Sequence, residues 1–305
     1  MSAPDTAPAT GGPARPGGGA SAAAGRRPSG AAADLRLLRS ELALVLSRRR
    51  NVVMLVVLAL LTALVGVGVD LATGDADPGT GGGPPFLASL TQNGLFLAFA
   101  SLTASLPVFL PLVVSVVAGE SVAGEASSGT LRYLLVTPVD RTRLLVTKFV
   151  ATVLYAAVAA LAIAVTGVLV GLVLFPVGDV VLLSGTTASY GEGLLRLAAV
   201  TAYATAMLTT VAALGLLVST LTEVPVAAMS ATAIVVVLVQ IMGQVPQLSF
   251  LHPWLFTDGW LRFADLLRDP LALGGVGDGL LLQAGWVVVL LGAAWARMTS
   301  KDVTS

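Results

Sequence analysis

Residues able to do chemistry are scarce in this chain of 305 residues. Cysteine is absent and His252 is the one histidine, so thiolate chemistry, Cys-based metal sites and most His-dependent catalysis lack material. The cations are fifteen arginines and two lysines, Lys148 and Lys301. A phosphate-binding P-loop needs Gly-Lys followed by Ser or Thr, but Phe149 follows Lys148 and Asp302 follows Lys301. A Walker-type ATP site is therefore excluded, and no metal or other cofactor is expected on the chain. An intramembrane hydrolase would need paired carboxylates, a His cluster or a Ser dyad with Lys or His inside the apolar runs. No Asp, Glu, Lys or Arg falls within their cores. The same absence argues against ion-coupled transport, which keeps such groups near the membrane midplane.

One stretch concentrates charge between two long apolar runs. Residues 119–149, GESVAGEASSGTLRYLLVTPVDRTRLLVTKF, hold Glu120, Glu125, Arg132, Arg141, Arg143 and Lys148. Within it, Ser127-Ser128-Gly129 interrupts one helix and Thr130 is placed to cap a new one over Leu131–Val136. Leu131, Leu134 and Leu135 share a face of that short helix, beside Arg132 and Tyr133. Thr137-Pro138 ends it, because the residue before proline is pushed out of the helical region. Asp140 is positioned to cap the helix that follows. A helix of under two turns is not stable alone and needs a partner surface or its neighbours. This pattern offers recognition rather than catalysis.

The elements that hold this stretch are membrane spans. The chain is 56% hydrophobic and 11% charged, with a mean hydropathy of +0.90; a soluble domain carries about 25% charged residues. Six apolar runs, at about 52–69, 95–118, 149–175, 197–221, 226–244 and 280–296, each approach the ~20 residues that cross a hydrocarbon core. An all-α membrane protein of six transmembrane helices is expected. Residues 1–33, rich in Ala, Gly, Pro and Ser, read as a disordered tail without the apolar stretch of a signal peptide. Residues 34–50 read as an amphipathic interfacial helix, with Asp34 as N-cap. Leu35, Leu38, Leu42, Val45 and Leu46 lie on one face and Arg36, Arg39, Ser47 and Arg50 on the other, with Arg48-Arg49-Arg50 at headgroup level. Residues 51–305 form the six-span domain.

Cations set the orientation. With the N-terminus inside, fourteen lie on cytoplasmic segments, and only Arg196, Arg262 and Arg268 lie outside. Both termini and residues 119–149 are then cytoplasmic. The outside loop at 70–94 contains GDADPGTGGGPP and reads as flexible. The loop at 245–279, with His252-Pro253-Trp254, Trp260 and Phe263, reads as short helices in the outer interface with Trp as belt residues. The zero net charge argues against nucleic acid as a partner. Abundant Ala, Gly and Arg point to a GC-rich, bacterial source and hence to the cell membrane.

Several residues carry two readings. Pro107 and Pro111 form either a hinge or a kink tolerated by neighbouring helices, the kink being favoured. Gly167 and Gly171 can seat their helix on a neighbour or on a second protomer. Thr201, Tyr203, Thr205, Thr209 and Thr210 either line a substrate path or, as favoured, bond back to their own helix. Gln240, a further path candidate, and Gln283 should face protein rather than lipid. His252 reads as a structural loop residue.

The ordered set Glu120, Glu125, Gly129-Thr130-Leu131, Leu134-Leu135, Pro138, Arg141 and Lys148 resembles the permease subunits of type 2 ATP-binding-cassette exporters. The resemblance covers roughly residues 34–305. It includes the amphipathic helix, six spans with both ends inside, the long outside loop before the last span, and Lys301-Asp302 after Arg297. It implies that the short helix between spans two and three is a coupling helix docking on a separate ATPase subunit, which holds the ATP and Mg. Leu131, Arg132, Leu134 and Leu135 would form the docking face. Glu120 and Glu125 would brace it, against Arg141 or Lys148. Six spans resemble half a transporter, so pairing with a second copy or a related permease is implied. Cargo stays open among lipids, antibiotics, peptides and other small molecules. A non-transporting scaffold or sensor on the same fold is the other reading.

Overall fold

A computed structural model describes residues 30–74, 93–127 and 141–300. Most of the N-terminal tail, the GDADPGTGGGPP loop, the short helix expected at 131–136 and the Lys301-Asp302 end lie outside the described residues. So do Gly129, Thr130, Leu131, Arg132, Leu134, Leu135 and Pro138.

The described chain is almost wholly helical. Helix α1 covers Gly30–Ser47 and α2 Arg49–Gly74; α3 is Leu95–Ser105, α4 Phe109–Ser127 and α5 Arg141–Leu174. After a small hairpin of β1 (Val180–Val181) and β2 (Thr187–Ala188) come α6 (Tyr190–Leu221), α7 (Pro225–Gly243) and α8 (Leu273–Ser300). Helices α2, α4, α5, α6, α7 and α8 are each long and apolar enough to cross a membrane. The protein is an all-helical, multi-pass membrane protein. The 34 residues of α5 span roughly 50 Å at 1.5 Å per residue, so this helix outruns the ~30 Å hydrocarbon core.

Helix α6 is the most deeply buried span and contacts α4, α5, α7 and α8. Apolar residues gain nothing by leaving lipid for one another, so close backbone approach must hold such a bundle. Gly167 and Gly171 provide it inside the chain: a Cβ on Gly171 would strike the Gly94 carbonyl, and one on Gly167 would sit 2.5 Å from Ala98 Cα. This pair seats α5 on α3.

The second apolar run, read from sequence as one span, is broken at residues 106–108. Pro111 has no N–H to give the carbonyl of Pro107 four residues earlier. The Gln240 side chain on α7 donates to that carbonyl at 3.1 Å. A neighbouring helix thus supplies the hydrogen bond that the proline removes, which is how such breaks are tolerated in lipid.

The bundle has two unlike ends. At one, which we call the loop end, the β1–β2 hairpin turns through Gly185, whose φ of 82° favours glycine. The segment between α7 and α8 forms 3-10 turns at Pro246–Leu248, His252–Trp254 and Arg262–Leu267. It does not simply lie on the rim. Phe256, Trp260 and Phe263 are buried, whereas Trp254 is exposed as a belt residue would be. The Tyr203 hydroxyl donates to the Gly259 carbonyl at 2.7 Å, Gln283 donates to the Phe256 carbonyl, and Trp286 Nε1 donates to the Trp254 carbonyl at 2.9 Å. Gly259 lies against Gly279, six residues into α8, so the segment reaches about 9 Å below that helix's start. Non-helical backbone at such depth is stable because protein, not lipid, surrounds it.

Candidate functional site

At the opposite end α2 begins, α4 ends, α5 begins and α8 ends. The corner between α1 and α2 is fixed by Asn51, whose side-chain amide donates at 2.8 Å to the Val45 carbonyl, one of the last four that α1 leaves unpaired. Tyr155 of α5 donates in turn to the Asn51 carbonyl at 2.9 Å, and both residues are buried.

Around this corner lies a network of ion pairs. Lys148 on α5 is only 3% exposed and meets Glu125 of α4 at 2.6 Å and Glu41 of α1 at 3.5 Å. Glu120, five residues before Glu125, binds Arg48 at 2.7 Å and also Arg50. Arg143 pairs with Asp34. Together these pairs clamp α1 and the start of α2 onto α4 and α5. Glu41, Arg48, Glu120, Glu125 and Lys148 line a narrow cleft between those helices. An ammonium removed from water this completely costs several kcal/mol unless paired, and two carboxylates meet that need.

Two further contacts tie down the helices that flank residues 128–140. Arg141 donates to the Met298 carbonyl at 2.7 Å, setting a cation on the C-terminal carbonyls of α8. The Ser219 hydroxyl of α6 enters the backbone ladder of α4: it donates to the Gly119 carbonyl at 2.7 Å and accepts from the amides of Val122 and Ala123 at 3.0 and 2.8 Å. Such an insertion is a recognised cause of local bending.

Three of the sequence-selected residues therefore converge. Glu120, Glu125 and Lys148 line one cleft, with Glu125 braced on Lys148 and Glu120 turned to Arg48 and Arg50. Arg141 stands apart on the end of α8. The path candidates are distributed differently. Thr201, Thr205 and Thr209 donate to the carbonyls of Leu197, Thr201 and Ala206 on their own helix. Against that reading, Thr210 reaches across to Gln283 and Tyr203 to the Gly259 carbonyl. Gln240 binds at the Pro107 break.

Sequence reasoning missed Glu41, Asn51, Tyr155 and Ser219. Glu41 carried a legible signal: it lies three residues after Leu38 and four before Val45, on the face of α1 that turns inward. An acid within an apolar stripe calls for a buried cation. Ser219 gave none, since small residues fill these spans.

A family described as a protein of unknown function (DUF2705) matches residues 81–260, more than half of the chain. No curated protein matches the chain.

Proposed function

The chain belongs to the DUF2705 family, and we propose that it is the membrane-spanning permease subunit of an ATP-binding-cassette transporter, working as an exporter. One observation carries this reading. The ends of α4 and α5, which bracket residues 128–140, are locked to each other through Lys148 and Glu125 and to α1 through Glu41. A force applied to the segment between them would pass into two spans and the N-terminal helix together, as a transmission element requires.

Cation placement supports a cytoplasmic position for that end, with fourteen of the seventeen cations on its side. In this reading α1 lies in the inner interface, residues 131–136 form the coupling helix, and Leu131, Arg132, Leu134 and Leu135 dock on the ATPase. Two such permeases pair in the cell membrane. With no Gly-Lys-Ser/Thr in the chain, ATP and Mg belong to the partner. The test is co-expression with a candidate ATP-binding-cassette ATPase subunit, followed by ATPase assay of the reconstituted complex. Stimulation by the wild-type chain and its loss in Leu134→Asp/Leu135→Asp is expected. Full stimulation by that variant would refute the coupling assignment.

A further inference from the structure

At the loop end, the helix break at Pro107, the last turn of α7 and the inserted 3-10 segment border an open-sided cavity of about 260 Å³. A cavity of ~150 Å³ already holds a benzene ring, so this one admits a small organic molecule. Its walls mix two characters. Pro107, Leu255 and Leu261 are apolar, while polar side chains converge from α7 and the inserted segment.

What those polar groups do is informative. Gln240 uses its amide N–H on the Pro107 carbonyl, leaving its own carbonyl oxygen unengaged among the described residues. His252 uses Nε2 on the Val245 carbonyl, leaving Nδ1. The side chains of Gln244 and Thr257 make no hydrogen bond among the described residues. Most telling is Trp260, which lines the cavity and is 1% exposed. Its indole Nε1 is buried with no partner. Buried indole N–H groups are nearly always bonded, so this one calls for an acceptor. The ring itself is braced by Phe256, with centroids 6.1 Å apart.

Charge is accounted for separately. Asp258, the acid in this wall, is engaged by Arg262 one turn on. The cavity thus presents unspent neutral donors and acceptors against an apolar wall, with its carboxylate already paired. We propose that this cavity is a binding site for a small uncharged molecule that carries amide or hydroxyl groups on an apolar body. The Trp260 N–H, buried just under that wall, takes its oxygen once the ring shifts to expose it, and Gln244 and Thr257 meet its remaining polar atoms.

Three probes of one size and shape separate the alternatives: benzamide, which is neutral, benzoate and benzylammonium. The purified chain in lipid nanodiscs is titrated with each, and the Trp260 fluorescence is isolated as the difference between wild type and Trp260→Phe. Binding is read independently by ligand-observed saturation-transfer NMR. The site predicts saturable binding of benzamide, at least tenfold tighter than either charged probe. Thr257→Val with Gln244→Leu should weaken it at least tenfold without moving the thermal midpoint. Benzylammonium binding best would assign the site to Asp258 and overturn the proposal. Benzamide binding that does not saturate, or that survives the double substitution, would reduce it to membrane partitioning and overturn it equally. No ATPase takes part in the assay, so its outcome stands apart from the transport reading.

Discussion

Replacing Lys148 with methionine should loosen α1 from the bundle. The lysine ammonium lies 2.6 Å from Glu125 and 3.5 Å from Glu41. At an effective dielectric of about 20, these separations correspond to gross attractions of about 6 and 5 kcal/mol. Much of that offsets the desolvation of a group only 3% exposed. The net cost of removing one partner from a buried pair is about 3–5 kcal/mol. Here it should fall near the lower figure, because the two carboxylates, 15% and 21% exposed, can turn toward water. A loss of about 3 kcal/mol is roughly a hundredfold in an opening equilibrium. Hydrogen–deuterium exchange of the purified chain should show α1 amides exchanging on the order of 100-fold faster in Lys148→Met, with the middle of α6 unchanged. Adding Glu125→Gln and Glu41→Gln should restore most of the protection, because the stranded charges are then gone. Exchange of α1 within about threefold of wild type in Lys148→Met would refute the clamp, since contacting residues normally couple by about 0.5–3 kcal/mol.

Other substitutions probe separate joints. Gly171→Val should drive a side chain into the Gly94 backbone and lower the thermal midpoint by an amount equivalent to ~1–3 kcal/mol or more. Gly285→Ala, with open space at its Cβ, should be neutral or gain up to ~1 kcal/mol in the same melt. Ser219→Ala removes a donor and a shared acceptor from the α4 ladder, a loss of ~1–3 kcal/mol, and should raise exchange at Val122 and Ala123 first. Gln240→Leu strands the Pro107 carbonyl, so in a detergent melt it should cost ~1–3 kcal/mol. Pairing it with Pro111→Ala, which returns an N–H to the ladder, should recover much of that loss.

What could be read from sequence followed from the solvent. Lipid requires long apolar helices whatever their packing, so the spans announce themselves by hydropathy alone. Gln283 was legible as facing protein for the same reason, and it indeed lies between Thr210 and Phe256. Packing partners were less accessible. Glu120 could be assigned a bracing role, but its partners Arg48 and Arg50 lie 70 or so residues away, and only the fold brings them together. The inserted 3-10 segment was hardest to foresee. Its Trp, Phe and Asp residues have the composition of an interfacial loop, and no periodicity marks Trp260 as buried and Trp254 as exposed. That difference arises from Tyr203 and Gln283, polar groups on two distant helices that hold the loop's carbonyls below the rim.

The most direct test of the proposed function is vesicle reconstitution of this chain with a candidate ATP-binding-cassette ATPase subunit, with ATP hydrolysis measured on the affinity-purified complex. The account predicts a stable complex whose hydrolysis exceeds that of the ATPase alone. In Leu134→Asp/Leu135→Asp that excess should disappear while the chain remains folded in the membrane. A chain that neither binds the ATPase nor alters its hydrolysis, under conditions where α1 to α8 are intact, would contradict it.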